Sequence, residues 1–166
     1  MATNDVVAFE IGGERYAMDI QLSREIVEMM PITPIPRAPE YIAGIINLRG
    51  EITTILNITN LLGIRRDSEE KGKNIIVLVP EAANGSNLGI IVDDVQSVLQ
   101  VDNSDVQQMD TGMANVNEFI KGIIKLKKDD VDKKQKDIGA EKDLMIWIDV
   151  QKIIEKLVNL DAIGNK

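Results

Sequence analysis

The sequence predicts a mainly-β protein made from a duplicated unit, two small barrels followed by one C-terminal helix. Two observations carry this. "YIAGIINLRG" (Tyr41 to Gly50) has a counterpart in "FIKGIIKLKK" (Phe119 to Lys128), and "EITTILNITNLL" (Glu51 to Leu62) in "DLMIWIDVQKII" (Asp143 to Ile154). Upstream, "YAMDIQLSREIVEM" (Tyr16 to Met29) lies in order on "LGIIVDDVQSVLQV" (Leu88 to Val101). Internal repeats of this kind mark one supersecondary unit used twice.

The elements follow in order. "DVVAFEI" and "RYAMDI" read as a hairpin around Gly12-Gly13, since tight turns need residues that accept positive φ. "MMPITPIPRAP" (Met29 to Pro39) holds four of the five prolines and reads as a stiff extended crossover, with a Pro-rich ligand motif as the alternative. "GIINLRGEITTILNI" is a second hairpin with Arg49-Gly50 at its tip. "TNLLGI" offers one or two helical turns. "NIIVLV", "LGIIVDDV" and "SVLQV", then "FIKGIIKL" with "LMIWID", supply the strands of the second copy. Several of these strands are unbroken apolar runs, so either both faces are buried or one is an interface.

"DVQKIIEKLVNL" (Asp149 to Leu160) is the main helix, with Asp149 as cap and Val150, Ile153, Ile154, Leu157 and Val158 as its apolar stripe. The chain reads as one domain, residues 1–166, with pseudo-repeats at 5–66 and 74–158 that can share strands and the helix. Units of ~60 to 75 residues are marginal alone, so docking through a shared core is expected.

Composition narrows the function. The 166 residues are 44% hydrophobic and 28% charged, within the range of soluble globular chains. With aromatics at 3%, the core must come from Ile, Val, Leu and Met. A net charge of -8 disfavours nucleic acid and anionic membranes as partners. No apolar run approaches the ~18 residues a membrane helix needs, and "MATNDVVAFE" lacks a secretory signal pattern. There is no Cys and no His, which removes the usual zinc ligands and nucleophile–base pairs. Zero Cys fits a cytosolic protein, and with His also absent an enzyme is the less expected class.

Asp93-Asp94, in "IIVDDVQ", are paired acids that could hold Mg²⁺ in an acid-only enzyme; a solvated strand end is the competing reading. "IGGERYA" matches no nucleotide-binding pattern. Trp147 is expected in the core or at a contact between barrels. "DDVDKKQKDIGAEK" (Asp129 to Lys142) is an insertion in the second copy, mixed in charge, and reads as an exposed loop or an interaction tongue.

Taken together, "PEYIAGIINLRGEI" (Pro39 to Ile52), "FEIGGERYAMDI" (Phe9 to Ile20), "REI" (Arg24 to Ile26), "GIIVDDV" (Gly89 to Val95) and "IDVQKII" resemble the CheW family of chemotaxis coupling proteins. The resemblance covers about Val6 to Leu160. It implies two packed five-stranded SH3-like β-barrels and no catalysis. It also implies a non-catalytic adaptor that couples the cytoplasmic tips of chemoreceptors to the regulatory domain of the histidine kinase CheA. The receptor tip would lie in a groove between barrels, and barrel-end contacts would build the signalling array.

By the same resemblance, Glu25 and Ile26 match a receptor-proximal motif. Gly44, Asn47, Arg49 and Gly50 match the coupling hairpin, and Gly89 opens a matching strand. Asn57 and Thr54 replace the family's usual Asp and Pro; Asn57 is expected to keep the turn-forming hydrogen bond. A CheV-like adaptor, which would need a receiver domain this length has no room for, and a CheA fragment stand as related alternatives.

If Asp129 to Lys142 form a tolerated hairpin extension, deleting them preserves a single cooperative unfolding transition. Thermal denaturation followed by circular dichroism checks this, and loss of cooperativity would make the segment structural.

Overall fold

The structure, a computed structural model, describes residues 3–62, 73–83, 85–107, 119–126 and 144–164. Eleven strands are described: β1 (Thr3–Ile11), β2 (Glu14–Asp19), β3 (Ser23–Glu28), β4 (Ile42–Leu48), β5 (Glu51–Leu56), β6 (Asn74–Leu78), β7 (Leu88–Val92), β8 (Asp94–Asp102), β9 (Val106–Gln107), β10 (Ile120–Lys125) and β11 (Leu144–Ile148). Helix α1 (Thr59–Leu62) is a single turn, and α2 (Val150–Gly164) closes the chain. The insertion Asp129 to Lys142 lies outside the described residues.

The contacts divide the chain into two compact units, one of Phe9–Gly13 with Gln21–Gln96, the other of Met1–Ala8, Glu14–Ile20 and Ser97–Lys166. The first holds the five-stranded sheet β3-β6-β7-β5-β4; the six-stranded order β8-β1-β2-β11-β10-β9 characterises the second. In hydrogen-bond order both sheets are open, and the short β9 makes the second six-stranded where five strands were expected.

Neither sheet follows the order of the sequence repeats. β5 pairs in parallel with β7, matching Thr54 to Leu88 and Ile55 to Gly89. β11 pairs in parallel with β2, matching Ile146 to Tyr16 and Trp147 to Ala17. In the repeat alignment these are the same pairs, each formed between the late hairpin of one copy and the early strand of the other. The hairpins also agree. Gly44↔Ile55 through Asn47↔Ile52 reappear as Gly122↔Trp147 through Lys125↔Leu144, with a bulge after Ile42 and after Ile120.

Asn57 N–H donates to the Tyr41 carbonyl at 2.7 Å, and Asp149 N–H to that of Phe119 at the same distance. Asn57 Oδ1 accepts from the Thr59 N–H and hydroxyl. Asp149 Oδ1 accepts the Lys152 N–H at 3.1 Å, the N-cap bond expected for α2. Val150, Ile153, Ile154 and Leu157 are buried; Val158 lies outside the described side chains.

In the first unit β6 and β7 are buried at every position after their first, so their apolar runs cover two faces. One face is the cluster Ile46, Ile55, Ile75, Val77 and Ile91, with Val27, Met29, Met30, Ile32, Ala43 and Leu48 packed around it. In the second unit Val6, Ala8, Ala17, Val101, Ile124, Met145 and Trp147 form the corresponding cluster. Trp147 is core, and its Nε1–H donates to Asp19 Oδ1 at 2.7 Å. Lys121 pairs with Asp19 Oδ2 at 2.9 Å and lies 4.6 Å from the Trp147 ring centre, adding a cation–π contact.

The Pro-rich crossover is tied to the first unit. Thr33 and Ile45 exchange both backbone hydrogen bonds, at 2.9 and 2.8 Å. This brings the Thr33 carbonyl directly over Gly44, where a Cβ would collide with that oxygen and sit 2.6 Å from Ile32 Cγ2.

Gly44→Ala, at φ +148 and without room, lowers stability by about 2 kcal/mol or more. Gly13→Ala, strained but facing open space, costs about 1 kcal/mol; urea denaturation of the two variants measures the difference. Separately, burial lifts the Tyr16 phenol above its ordinary 10.0, and the Glu14 charge adds to the rise. An acid held neutral this way contributes fully below pH 10.0 and loses that contribution as pH climbs through the raised value. Tyr16→Phe therefore flattens the alkaline loss of stability, read from urea midpoints between about pH 9 and 11.

Candidate functional site: an ion-paired hairpin tip

The β4–β5 connection is two residues long, and both have positive φ, Arg49 at 54° and Gly50 at 86°. This is the turn whose twist matches a β-hairpin, and it favours Asn-Gly or Gly-Gly. Glycine accepts its place without cost; arginine does not, and left-handed backbone costs a non-glycine residue roughly 1–2 kcal/mol. Asn47 steadies the turn, its Oδ1 accepting the Gly50 N–H at 2.9 Å. Its counterpart in the second copy is Lys125, which cannot accept such a bond.

Arg49 reaches across to β3. Its Nη2 lies 2.7 Å from Glu25 Oε2 and its Nη1 3.2 Å from Oε1, a two-point fork on one carboxylate. The Glu25 side chain is 19% exposed and that of Arg49 71%. The carboxylate is therefore the seated partner, and the guanidinium lies over it with its outer side in solvent. A second pair runs alongside, Arg24 Nη1 to Glu51 Oε2 at 3.4 Å, with both groups about half exposed. Neighbouring residues of β3 thus hold the residues on either side of Gly50.

The sheet order explains why these contacts matter. β3 and β4 are the two edges of the five-stranded sheet, and no ladder joins them among the described residues. Arg49–Glu25 links β3 to the β4–β5 turn and Arg24–Glu51 links it to the start of β5, while Thr33 bridges the free side of β4 at Ile45. Next in the chain to Glu25 and Glu51 are exposed aliphatics, Ile26 at 42% and Ile52 at 59%.

Four of the seven residues expected from the sequence, Glu25, Asn47, Arg49 and Gly50, therefore meet at one end of one unit, and Ile26 follows Glu25 in the chain with its side chain exposed. Gly44 and Gly89 do not join them. Gly44 sits under the Thr33 carbonyl. Gly89 lies in the core, where a Cβ would stand 2.8 Å from Ile75 Cγ2 and 3.1 Å from Ile55 Cδ1. Arg24, Glu51 and Ile52 join the cluster without having been singled out; their adjacency to Glu25 and Gly50 was the available signal.

Asp93 is neither solvated nor poised for metal. It is buried, accepts the Gly12 N–H at 2.7 Å and donates its own N–H to the Glu10 carbonyl, while Asp94 is exposed. Among the described residues no group of three or more His, Cys, Asp or Glu is placed to hold a metal ion, and no helix is long and apolar enough to cross a membrane.

The repeat extends to the exposed surface. In the second copy Ile26 aligns with Val98 and Ile52 with Leu144, and these are 56% and 48% exposed. Four of the five exposed large hydrophobics among the described residues thus occupy matching positions; Ile35, in the crossover, is the fifth. The ion pairs do not repeat, since Glu25 aligns with Ser97 and Arg24 with Gln96.

An ion pair this exposed adds under about 1 kcal/mol to the fold, and Asn suits the left-handed turn better than Arg. Arg49→Asn accordingly leaves stability within about 1 kcal/mol of the parent in urea denaturation. A larger loss would make the pair a structural clamp.

Comparison with known proteins places the whole chain in one family. Residues 5–158 match the family model described as CheW-like domain. The chain is 38% identical over 133 residues to a chemotaxis protein CheW of Treponema pallidum, covering 75% of this chain and 77% of that one. A chemotaxis protein CheW of Thermotoga maritima is 32% identical over 157 residues, covering 92% and 89%. Among solved structures, the scaffolding protein TtCheW from Thermoanaerobacter tengcongensis superposes with a TM-score of 0.69 at 28% identity, covering 89% of this chain and 85% of that one.

Proposed function

The chain belongs to the CheW family, the coupling adaptors of chemotaxis, and we propose that it joins the cytoplasmic tip of a chemoreceptor to the regulatory domain of the histidine kinase CheA without catalysing a reaction itself. Its place of action is then the cytoplasm, at receptor arrays in the membrane.

The observation that supports this reading best is Arg49. The hairpin does not need an arginine at a left-handed position, and the exposed ion pair does little for stability. Its fork is held in one orientation by a seated carboxylate, with its outer side turned to solvent and aliphatic surface nearby. Two of its five N–H donors engage Glu25, so a carbonyl or carboxylate of a partner can be received by the rest. Once desolvated by a partner, each such charge-assisted bond is worth about 1.5–3 kcal/mol. Glu25, Asn47 and Gly50 orient Arg49, while Ile26 and Ile52 supply the apolar contact. Gly44 and Gly89 contribute by keeping the sheet closely packed beneath. Val98 and Leu144 offer a matching aliphatic surface on the second unit, which an adaptor with two partners requires.

Ternary assembly with a receptor signalling fragment and CheA tests this directly. Arg49→Asn, with the fold retained, lowers assembly and kinase activation by about tenfold or more. Exchanging the charges, Glu25→Arg with Arg49→Glu, restores the pair but not the coupling. Unchanged assembly and activation in Arg49→Asn would refute the role of Arg49.

A further inference from the structure

Among the described residues one backbone bridge, Thr33 to Ile45, ties the chain leaving β3 to β4, and two adjacent thioethers lie in the segment that leads to it. Met29 and Met30 leave the end of β3 and pack, partly buried, against the cluster of Ile46, Ile55, Ile75, Val77 and Ile91. Met29 N–H donates to the Lys73 carbonyl at 2.9 Å, and four residues further Thr33 makes its bridge to Ile45. Met18 and Met145, by contrast, are at 0% exposure.

Methionine reacts with peroxides where the oxidant can reach it, and the sulfoxide is polar where the thioether was apolar. Here the new oxygen would lie against aliphatic carbon, and a polar group held there without a hydrogen-bond partner disfavours the closed seam. The seam has little to set against that, since local segments held by few hydrogen bonds open first.

We propose that Met29 and Met30 form a peroxide-sensitive modification site whose oxidation opens the seam between β3 and β4. In the reaction the sulfur lone pair attacks one peroxide oxygen and the O–O bond breaks. The sulfur is oxidised by two electrons, an S–O bond forms, and the departing oxygen leaves as water with the proton from the transferred oxygen. Glu25 rides on the same strand as this segment, so an opened seam withdraws the seat of Arg49; this last consequence rests on the coupling reading above.

The test treats the whole protein with graded hydrogen peroxide and follows it by peptide mass spectrometry and amide hydrogen exchange. Met29 and Met30 are expected to oxidise before Met18 and Met145. The Thr33 and Ile45 amides then exchange about tenfold faster. Met29→Leu with Met30→Leu keeps their slow exchange after the same dose. The proposal is overturned if Met29 and Met30 oxidise no sooner than the buried pair. Unchanged exchange at Thr33 and Ile45 in the oxidised protein overturns it equally, as does acceleration that persists in the double-leucine variant. Faster exchange with ternary assembly intact supports the modification site and overturns its link to Arg49.

Discussion

The five-stranded sheet of the first unit has two edges, and the way they are brought together governs most of what lies around them. A sheet with β3 at one edge and β4 at the other exposes unpaired backbone on both, which proteins must cover or pair. Here the chain itself returns from β3, and Thr33 forms a one-residue bridge to Ile45. That bridge forces glycine at position 44, because the Thr33 carbonyl occupies the space of a Cβ. Inside, Met29, Met30, Ile32 and Leu48 fill the gap with apolar contact; outside, Glu25 and Arg49 link β3 to the β4–β5 turn. Gly44 and Arg49 are five residues apart on one hairpin, yet Gly44 serves closure by having no side chain while Arg49, 71% exposed, adds little to it.

Duplication explains why the two units share their registers and not their chemistry. Strand pairing depends on the alternation of side chains and on where the bulge falls, and both were copied. Charged surface contacts contribute little to folding, so they could diverge. Glu25 and Arg24 align with Ser97 and Gln96. In the other direction, Lys121, Asp19 and Trp147 occupy positions that align with Ala43, Ile91 and Ile55. One unit keeps an all-aliphatic cluster there and places its ion pairs at the tip. Its relative has a cation, an acid and an indole hydrogen-bonded beside the core. Matched aliphatics at Ile26 and Val98, and at Ile52 and Leu144, survive on both.

Much of the candidate site was legible from the chain because one motif spans it: Asn47, Arg49 and Gly50 are consecutive enough to be read as a turn. That Gly50 would have positive φ followed from its type; that Arg49 shares it did not, since nothing local makes arginine adopt it. The strand β3 was not assigned from the sequence, although its residues align with part of β8. It alternates half-buried and exposed positions, but its exposed ones are Arg24, Ile26 and Glu28, and one isoleucine among charges hides the pattern. Neither reading of the Asp93-Asp94 pair, metal ligand or solvated strand end, placed Asp93 on the Gly12 amide, because that partner is distant in the chain.

From the sequence alone came the mainly-β class, the duplication, the hairpins at Gly12-Gly13 and Arg49-Gly50, the Asp149-capped helix and the family. All of these rest on short-range patterns: alternation, turn chemistry, capping, and similarity between segments. Tertiary structure decided which strand of one copy pairs with which of the other. It also decided that Glu25 and Arg49, twenty-four residues apart, form a fork, and that Gly44 and Gly89 are packing positions away from the tip. These depend on backbone segments meeting in space. A hydrogen-bond ladder accepts many sequences on its two sides, so the partner of each strand is not written in the strand itself.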